Sequence, residues 1–163
     1  TVPTQGRVSQ GGRGIRLKDG DTVVEMEVCQ EPEKSQLLVV TKNGLGKCTD
    51  LILYRNTNRG GHGIKTANVT EKTGPVIEAK VIHKKMEGDL IIVSKQGQII
   101  RLNLQKIPDR GRSTQGVYLM RLKEADSVAS ISIITKEEME EATAENTNQS
   151  TEQKALFTVE PIK

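Results

Sequence analysis

The residues of this chain that could do chemistry are cations set among glycines. In the stretch RNTNRGGHGIKTANV, residues 55–69, Arg59, His62 and Lys65 surround Gly60, Gly61 and Gly63. A glycine-rich turn with flanking cations could cradle a phosphate on its N–H groups. The same residues could make a tight bend between strands that carries an arginine. Catalysis finds no footing: there is no Ser/His/Asp set and no Walker loop, and His62 and His83 have no partner pattern. Cys29 and Cys48 stand 19 positions apart without a Cys-x-x-Cys pair, so they read as reduced thiols and no metal site is expected.

The stretch is one of three. GRVSQGGRGIRLKDGDTV, NRGGHGIKTANVTEKTGPV and GRSTQGVYLMRLKEADSV share a frame in which Arg7, Arg59 and Arg112 are 52 and 53 residues apart, as are Gly11, Gly63 and Gly116. A second element keeps the same register. LLVVTKNGLGKCT from Leu37 matches LIIVSKQGQIIRL from Leu90, again 53 apart. Each reads as strand, hairpin turn and strand, with Asn43-Gly44 and Gln96-Gly97 at the turns. Asn43-Gly44 is expected to form a primed turn with both residues at positive φ.

The runs VVEMEV, VIEAKVI and VASISII follow the three Arg/Gly loops. Alternation predicts a half-buried strand at residues 23–28, with Val24, Met26 and Val28 on one face. Units of about 50 residues with about four strands each are the pattern of radially arranged blades. The expected organisation is the end of one blade at 1–27, a blade at 28–80 and a blade at 81–135. Two and a half blades suggest part of a larger ring.

With 34% hydrophobic and 2% aromatic residues, the core must be built from Val, Ile and Leu. So few aromatics count against recognition by base stacking. No apolar run reaches the ~20 residues of a membrane span, and no signal pattern opens the chain, so a cytosolic setting is expected. Residues 1–135 carry net +7 and residues 136–163 net −4. A basic body suits a polyanion, and an acidic segment could compete for that surface. Residues 136–163 read as a short helical turn followed by disorder, with one edge strand conceivable at 155–163.

The motifs NGLGKCTDLILYRNTNRGGHG, GQIIRLNLQKIPDRGRSTQGV and GRVSQGGRGIRLKDGDTVVEM resemble the C-terminal domain of DNA gyrase A, over nearly all of residues 5–134. The corresponding topoisomerase IV domain is similar but less close in the loops. The resemblance implies an all-β pinwheel, a propeller-like ring whose basic rim wraps duplex DNA in support of negative supercoiling. It also implies a bacterial, nucleoid-associated protein working with the rest of gyrase A and with gyrase B. ATP, Mg2+ and the nucleophilic tyrosine would then act outside this chain, which would need no cofactor of its own. The family's Gln-x-x-Gly-Gly-Lys-Gly box has Thr57 and His62 here in place of its Gln and Lys. The resemblance therefore places the full box upstream, in an earlier blade.

Three arginines at equivalent loop positions suit a repeating polyanion, because each neutralised phosphate adds affinity through counterion release. Arg7, Arg13, Arg59, His62, Lys65, Arg110 and Arg112 are the candidate loop contacts, with Lys42, Lys47, Lys95 and Arg101 flanking the hairpins. Gly11, Gly60, Gly61, Gly63 and Gly116 are assigned to turn geometry. Tyr54 aligns with Ile107, so it is expected to pack and not to react. A protein-interaction scaffold is the competing reading; a steep salt dependence of binding would separate the two.

Overall fold

In the computed structural model, residues 3–140 are described. β1 (Ser35–Thr41) and β2 (Leu45–Asp50) form an antiparallel hairpin that pairs Leu38 with Cys48 and Val40 with Gly46. β3 (Val76–His83) returns along the other side of β1, setting Gln36 opposite Ile82. One repeat later, β4 (Gly88–Ser94) and β5 (Ile99–Asn103) form the second hairpin. β6 (Val117–Tyr118) follows, and β7 (Val128–Thr135) lies along the free side of β4. Even the irregularities recur. The ladder slips between Val40 and Thr41 against β3, and between Val93 and Ser94 against β7. Short 3-10 turns at Leu51–Leu53 and Leu104–Lys106 close the two hairpins.

β6 breaks the unit boundary. It pairs with β2 of the preceding unit, Leu45 opposite Tyr118 and Gly46 opposite Val117. The sheets are therefore β3-β1-β2-β6 and β5-β4-β7. The sheets are antiparallel and, among the described residues, helix is limited to short turns, the propeller-like architecture that the repeat implies.

The central strands carry the apolar runs because their sides are covered on both sheet faces or alternate onto the core. Leu38, Val40, Leu90 and Ile92 are fully buried and pack with Cys48, Ile82, Leu104, Ile107, Met120 and Val128 in one cluster that joins the two sheets. Each side chain of Leu or Ile size contributes roughly 1.5–3 kcal/mol on full burial. No aromatic ring takes part in this cluster.

Two expectations are corrected. Residues 23–28 form no strand, and Met26 and Val28 stand 85% and 80% exposed. An amphipathic pattern without a ladder to join stays unpaired, since a strand's backbone groups need a neighbour. The hairpin turns also differ from the primed form. Gly44 alone has positive φ (+81°), while Asn43 does not. The Gly44 N–H donates to the Thr41 carbonyl at 3.0 Å. Gly97 (+84°) and Ser94 repeat this geometry. These are longer loops that end on a left-handed glycine, a form that accepts Gln96 as readily as Asn43. The Asn43 side chain is then free to donate to the Glu71 and Lys72 carbonyls, at 3.0 and 3.1 Å.

β3 continues to His83 and β4 begins at Gly88. Residues 136–140 turn helical after β7. The rest of the acidic segment, with its expected edge strand, lies outside the described residues.

Candidate nucleic-acid interface

The three Arg/Gly loops lie side by side. The Gly60 N–H donates to the Gly14 carbonyl and the Arg16 N–H to the Gly61 carbonyl, both at 2.8 Å, which joins the first loop to the second. The Asn68 N–H donates to the Thr114 carbonyl at 3.0 Å, which joins the second loop to the third. The Arg112 guanidinium adds a bond to the Lys65 carbonyl at 3.2 Å. Equivalent loops of successive units thus form one continuous row.

Glycine is needed at the turn of each loop. Gly116 has φ +83°, and a Cβ there would sit 2.5 Å from the Gly46 carbonyl oxygen, so only a bare backbone lets the third loop cross β2. Gly11 and Gly63 take the same hand, at +73° and +78°. Gly60 and Gly61 carry the bonds between loops.

The cations fall into two groups. Arg7, Arg13, Arg59, His62, Lys65 and Arg110 are exposed along the row, and Arg112 is half-buried. Among the described residues the Lys65 ammonium reaches the Asn68 side chain, and Arg110 the Asp109 carbonyl. Among the described residues none of these pairs with a carboxylate. The ion pairs lie elsewhere: Lys34–Glu31, Lys80 with Glu25 and Glu27, Lys84–Asp50, Arg101–Asp89 and Lys136–Glu87. Lys42 and Lys95 are exposed on the two hairpin turns.

Arg101 is held by Asp89, unlike the loop arginines. Lys47 leaves the candidate surface altogether. It is 1% exposed, and its ammonium is enclosed by acceptors of the third loop. A group that cannot reach solvent cannot meet a phosphate.

Arg55 and Tyr54 adjoin the residues that the repeat marks. Arg55, Arg112 and Lys65 line an open groove of about 410 Å³ that has no acidic side chain in its wall. Arg55 belongs to the same glycine-rich stretch, which is the signal that could have found it. Tyr54 supports the groove from behind: its hydroxyl bonds Thr66, and the Arg112 guanidinium lies 5.7 Å from its ring centre. It packs, as its alignment with Ile107 suggests, and its face also steadies Arg112. Tyr118 is similarly flanked by Lys72 and Arg121, each 5.5 Å from its ring centre.

Among the described residues no cluster of His, Cys, Asp and Glu is arranged to hold a metal ion, and no helix is long and apolar enough to cross a membrane. Burial, and then the charges of Asp109 and Asp50, push the Cys48 thiol up to about 12. Cys29 is half-buried.

Comparison with known proteins places this arrangement. The DNA gyrase A protein of Staphylococcus aureus is 42% identical over 146 residues, 90% of this chain and 16% of that protein. The Staphylococcus epidermidis protein is 41% identical over 138 residues, 85% of this chain and 15% of that protein. The chain thus spans about a sixth of the length of these relatives. A solved DNA gyrase A C-terminal domain superposes with a TM-score of 0.70 at 28% identity, covering 82% of this chain and 44% of that one. The C-terminal domain of DNA topoisomerase IV shares the fold, with a TM-score of 0.66 at 18% identity, covering 84% of this chain and 43% of that one. The family model described as "DNA gyrase C-terminal domain, beta-propeller" matches residues 1–30, 35–83 and 88–135. The chain belongs to the DNA gyrase C-terminal domain family.

Proposed function

We propose that this chain binds duplex DNA along the row of Arg/Gly loops and bends it around the rim, as the non-catalytic arm of a gyrase A protein that introduces negative supercoils. The observation that supports this reading is the segregation of charge. Among the described residues the cations of the loop row are free of carboxylate partners, and every ion pair lies off the row. Unpaired cations in a continuous line retain their full attraction for phosphates and release counterions on contact. Backbone N–H groups at the glycine turns can add bonds to phosphate oxygens. Such contacts position a duplex without reading its sequence, which suits a protein that handles any DNA segment. The chain acts with the remainder of gyrase A and with gyrase B in the bacterial cytoplasm, on the nucleoid. It uses no cofactor of its own, ATP and Mg2+ serving the rest of the enzyme.

The test is topological. Nicked circular plasmid is ligated with increasing amounts of the protein, then deproteinised and resolved by gel electrophoresis. Bending around a chiral rim shifts the linking-number distribution in one direction as protein is added. A distribution that stays centred while the protein is demonstrably bound contradicts the wrapping.

A further inference from the structure

Lys47 is a buried ammonium. It sits on β2, where Leu45–Thr49 are covered on both faces, and it is 1% exposed. Among the described residues no carboxylate pairs with it. Its three N–H protons are instead placed on the Gly111 carbonyl at 2.7 Å, the Arg112 carbonyl at 2.9 Å and the Thr114 hydroxyl at 3.2 Å. An ammonium has three donors, so the group is saturated. Burial lowers its pKa, the cost of enclosing a charge. One repeat later the same strand position is Ile100, so the strand itself does not require a cation there.

All three acceptors belong to the third Arg/Gly loop. Residues 111–114 form a turn in which Thr114 bonds back to the Gly111 carbonyl through both its N–H and its hydroxyl. Neighbouring bonds hold the entry to this turn: the Arg110 N–H to the Cys48 carbonyl at 2.9 Å, and the Thr49 hydroxyl to the Arg110 carbonyl at 2.8 Å. With the carbonyls of residues 110, 111 and 112 all bonded inward to β2, the side chains of Arg110 and Arg112 are set at fixed stations on the row.

We propose that Lys47 is a positioning residue for DNA binding: an internal clamp from one unit that fixes the Arg110-Gly111-Arg112 backbone of the next, so that duplex affinity depends on a lysine that never touches the duplex. The inference rests on the DNA-binding reading above. It turns the order of the loop into part of the binding site. A loop free to sample many conformations would lose entropy on meeting the phosphates, and the clamp removes that cost beforehand. Charge and hydrogen bonding act together here. A residue of similar length without the ammonium takes the donor from the Arg112 carbonyl and strips one bond each from the Gly111 carbonyl and the Thr114 hydroxyl, and the loop must then rearrange to find water.

The experiment compares Lys47→Met and Thr114→Val with the unaltered protein by amide hydrogen exchange without DNA, and by duplex binding. Lys47→Met is expected to lose exchange protection across residues 110–116 while β4, β5 and β7 keep theirs, and to bind duplex about tenfold more weakly. Thr114→Val removes one acceptor of the ammonium together with the hydroxyl's own bond to the Gly111 carbonyl, and is expected to reduce protection of the same segment in smaller measure, which keeps the test open if Lys47→Met does not fold. In an Arg110→Ala/Arg112→Ala background, Lys47→Met is expected to change binding less than about twofold, because the residues it positions are gone. Additive losses in that background, or unchanged exchange of residues 110–116 in either variant, overturn the clamp. The exchange arm contains no DNA, so it judges the clamp even if the DNA-binding reading fails.

Discussion

Gly44 and Met120 meet backbone to backbone where the third loop crosses the first hairpin. The Gly44 carbonyl accepts the N–H groups of Leu119 and Met120, at 2.9 and 3.1 Å. A Cβ on Gly44 would fall well under 3.0 Å from the Met120 carbonyl oxygen. The turn of one unit is therefore also the landing site of the next, and the glycine serves both the left-handed φ and the close approach.

This pairing makes the two hairpin turns unequal. Gly97 has the same hand of φ, but a Cβ there meets nothing within 4 Å. Gly97→Ala should cost about 1 kcal/mol, the strain of a left-handed alanine alone. Gly44→Ala should cost about 3 kcal/mol, because a backbone clash is added to that strain. Urea denaturation midpoints of the two variants check this, and equal losses would mean that the crossing contributes nothing.

Tyr54 is predicted to act through its ring. Tyr54→Phe keeps the face that meets Arg112 and loses only the bond to Thr66, so duplex binding should stay within about twofold. Tyr54→Leu removes the face and should weaken binding about threefold, the scale of an exposed cation–π contact. Fluorescence anisotropy with a labelled duplex distinguishes the two. A large loss in the phenylalanine variant would assign the hydroxyl a role that this arrangement does not give it.

Cys48 should be inert while the protein is folded. Its thiol is pushed up to about 12 from 9.0, by burial first and then by Asp109 and Asp50. The folded state holds this proton to higher pH than the unfolded chain does. The corresponding stability is fully present below about 9 and is lost as pH rises from there toward 12. Alkylation with iodoacetamide near pH 8.5 should label Cys29 and spare Cys48 until denaturant is added. Equal labelling of both in the native protein would contradict the burial.

What the sequence discloses, and what it does not, divides along the repeat. The period of 52 to 53 residues locates both hairpins, β3, β7 and the three loops, because each unit repeats its own hydrophobic alternation. Pairing between units leaves no such trace. β6 is two residues long, and nothing in Val117-Tyr118 says that its partner is Leu45-Gly46 of the preceding unit. Lys47 reads as a phosphate contact for the same reason: a lysine after a hairpin turn is ordinarily solvated, and only the crossing loop buries it. Residues 23–28 have the alternation of a strand but no ladder to enter. The turn at Asn43-Gly44 is legible as a turn but not as to type, since Asn tolerates positive φ without requiring it. Spacing singles out Arg59 and Arg112 as equivalent loop cations, while the contact of Arg112 with Lys65 and Tyr54 depends on how adjacent loops stack.

The most direct test of the central claim is the salt dependence of duplex binding by the unaltered protein and by Arg59→Ala and Arg112→Ala. If the loop row binds the phosphate backbone, affinity falls linearly with salt on logarithmic axes, and each substitution lowers the slope by about one. The loss should be the same for duplexes of unrelated sequence. Substitutions that leave the slope unchanged, or that weaken one sequence and spare another, would contradict a row of backbone contacts.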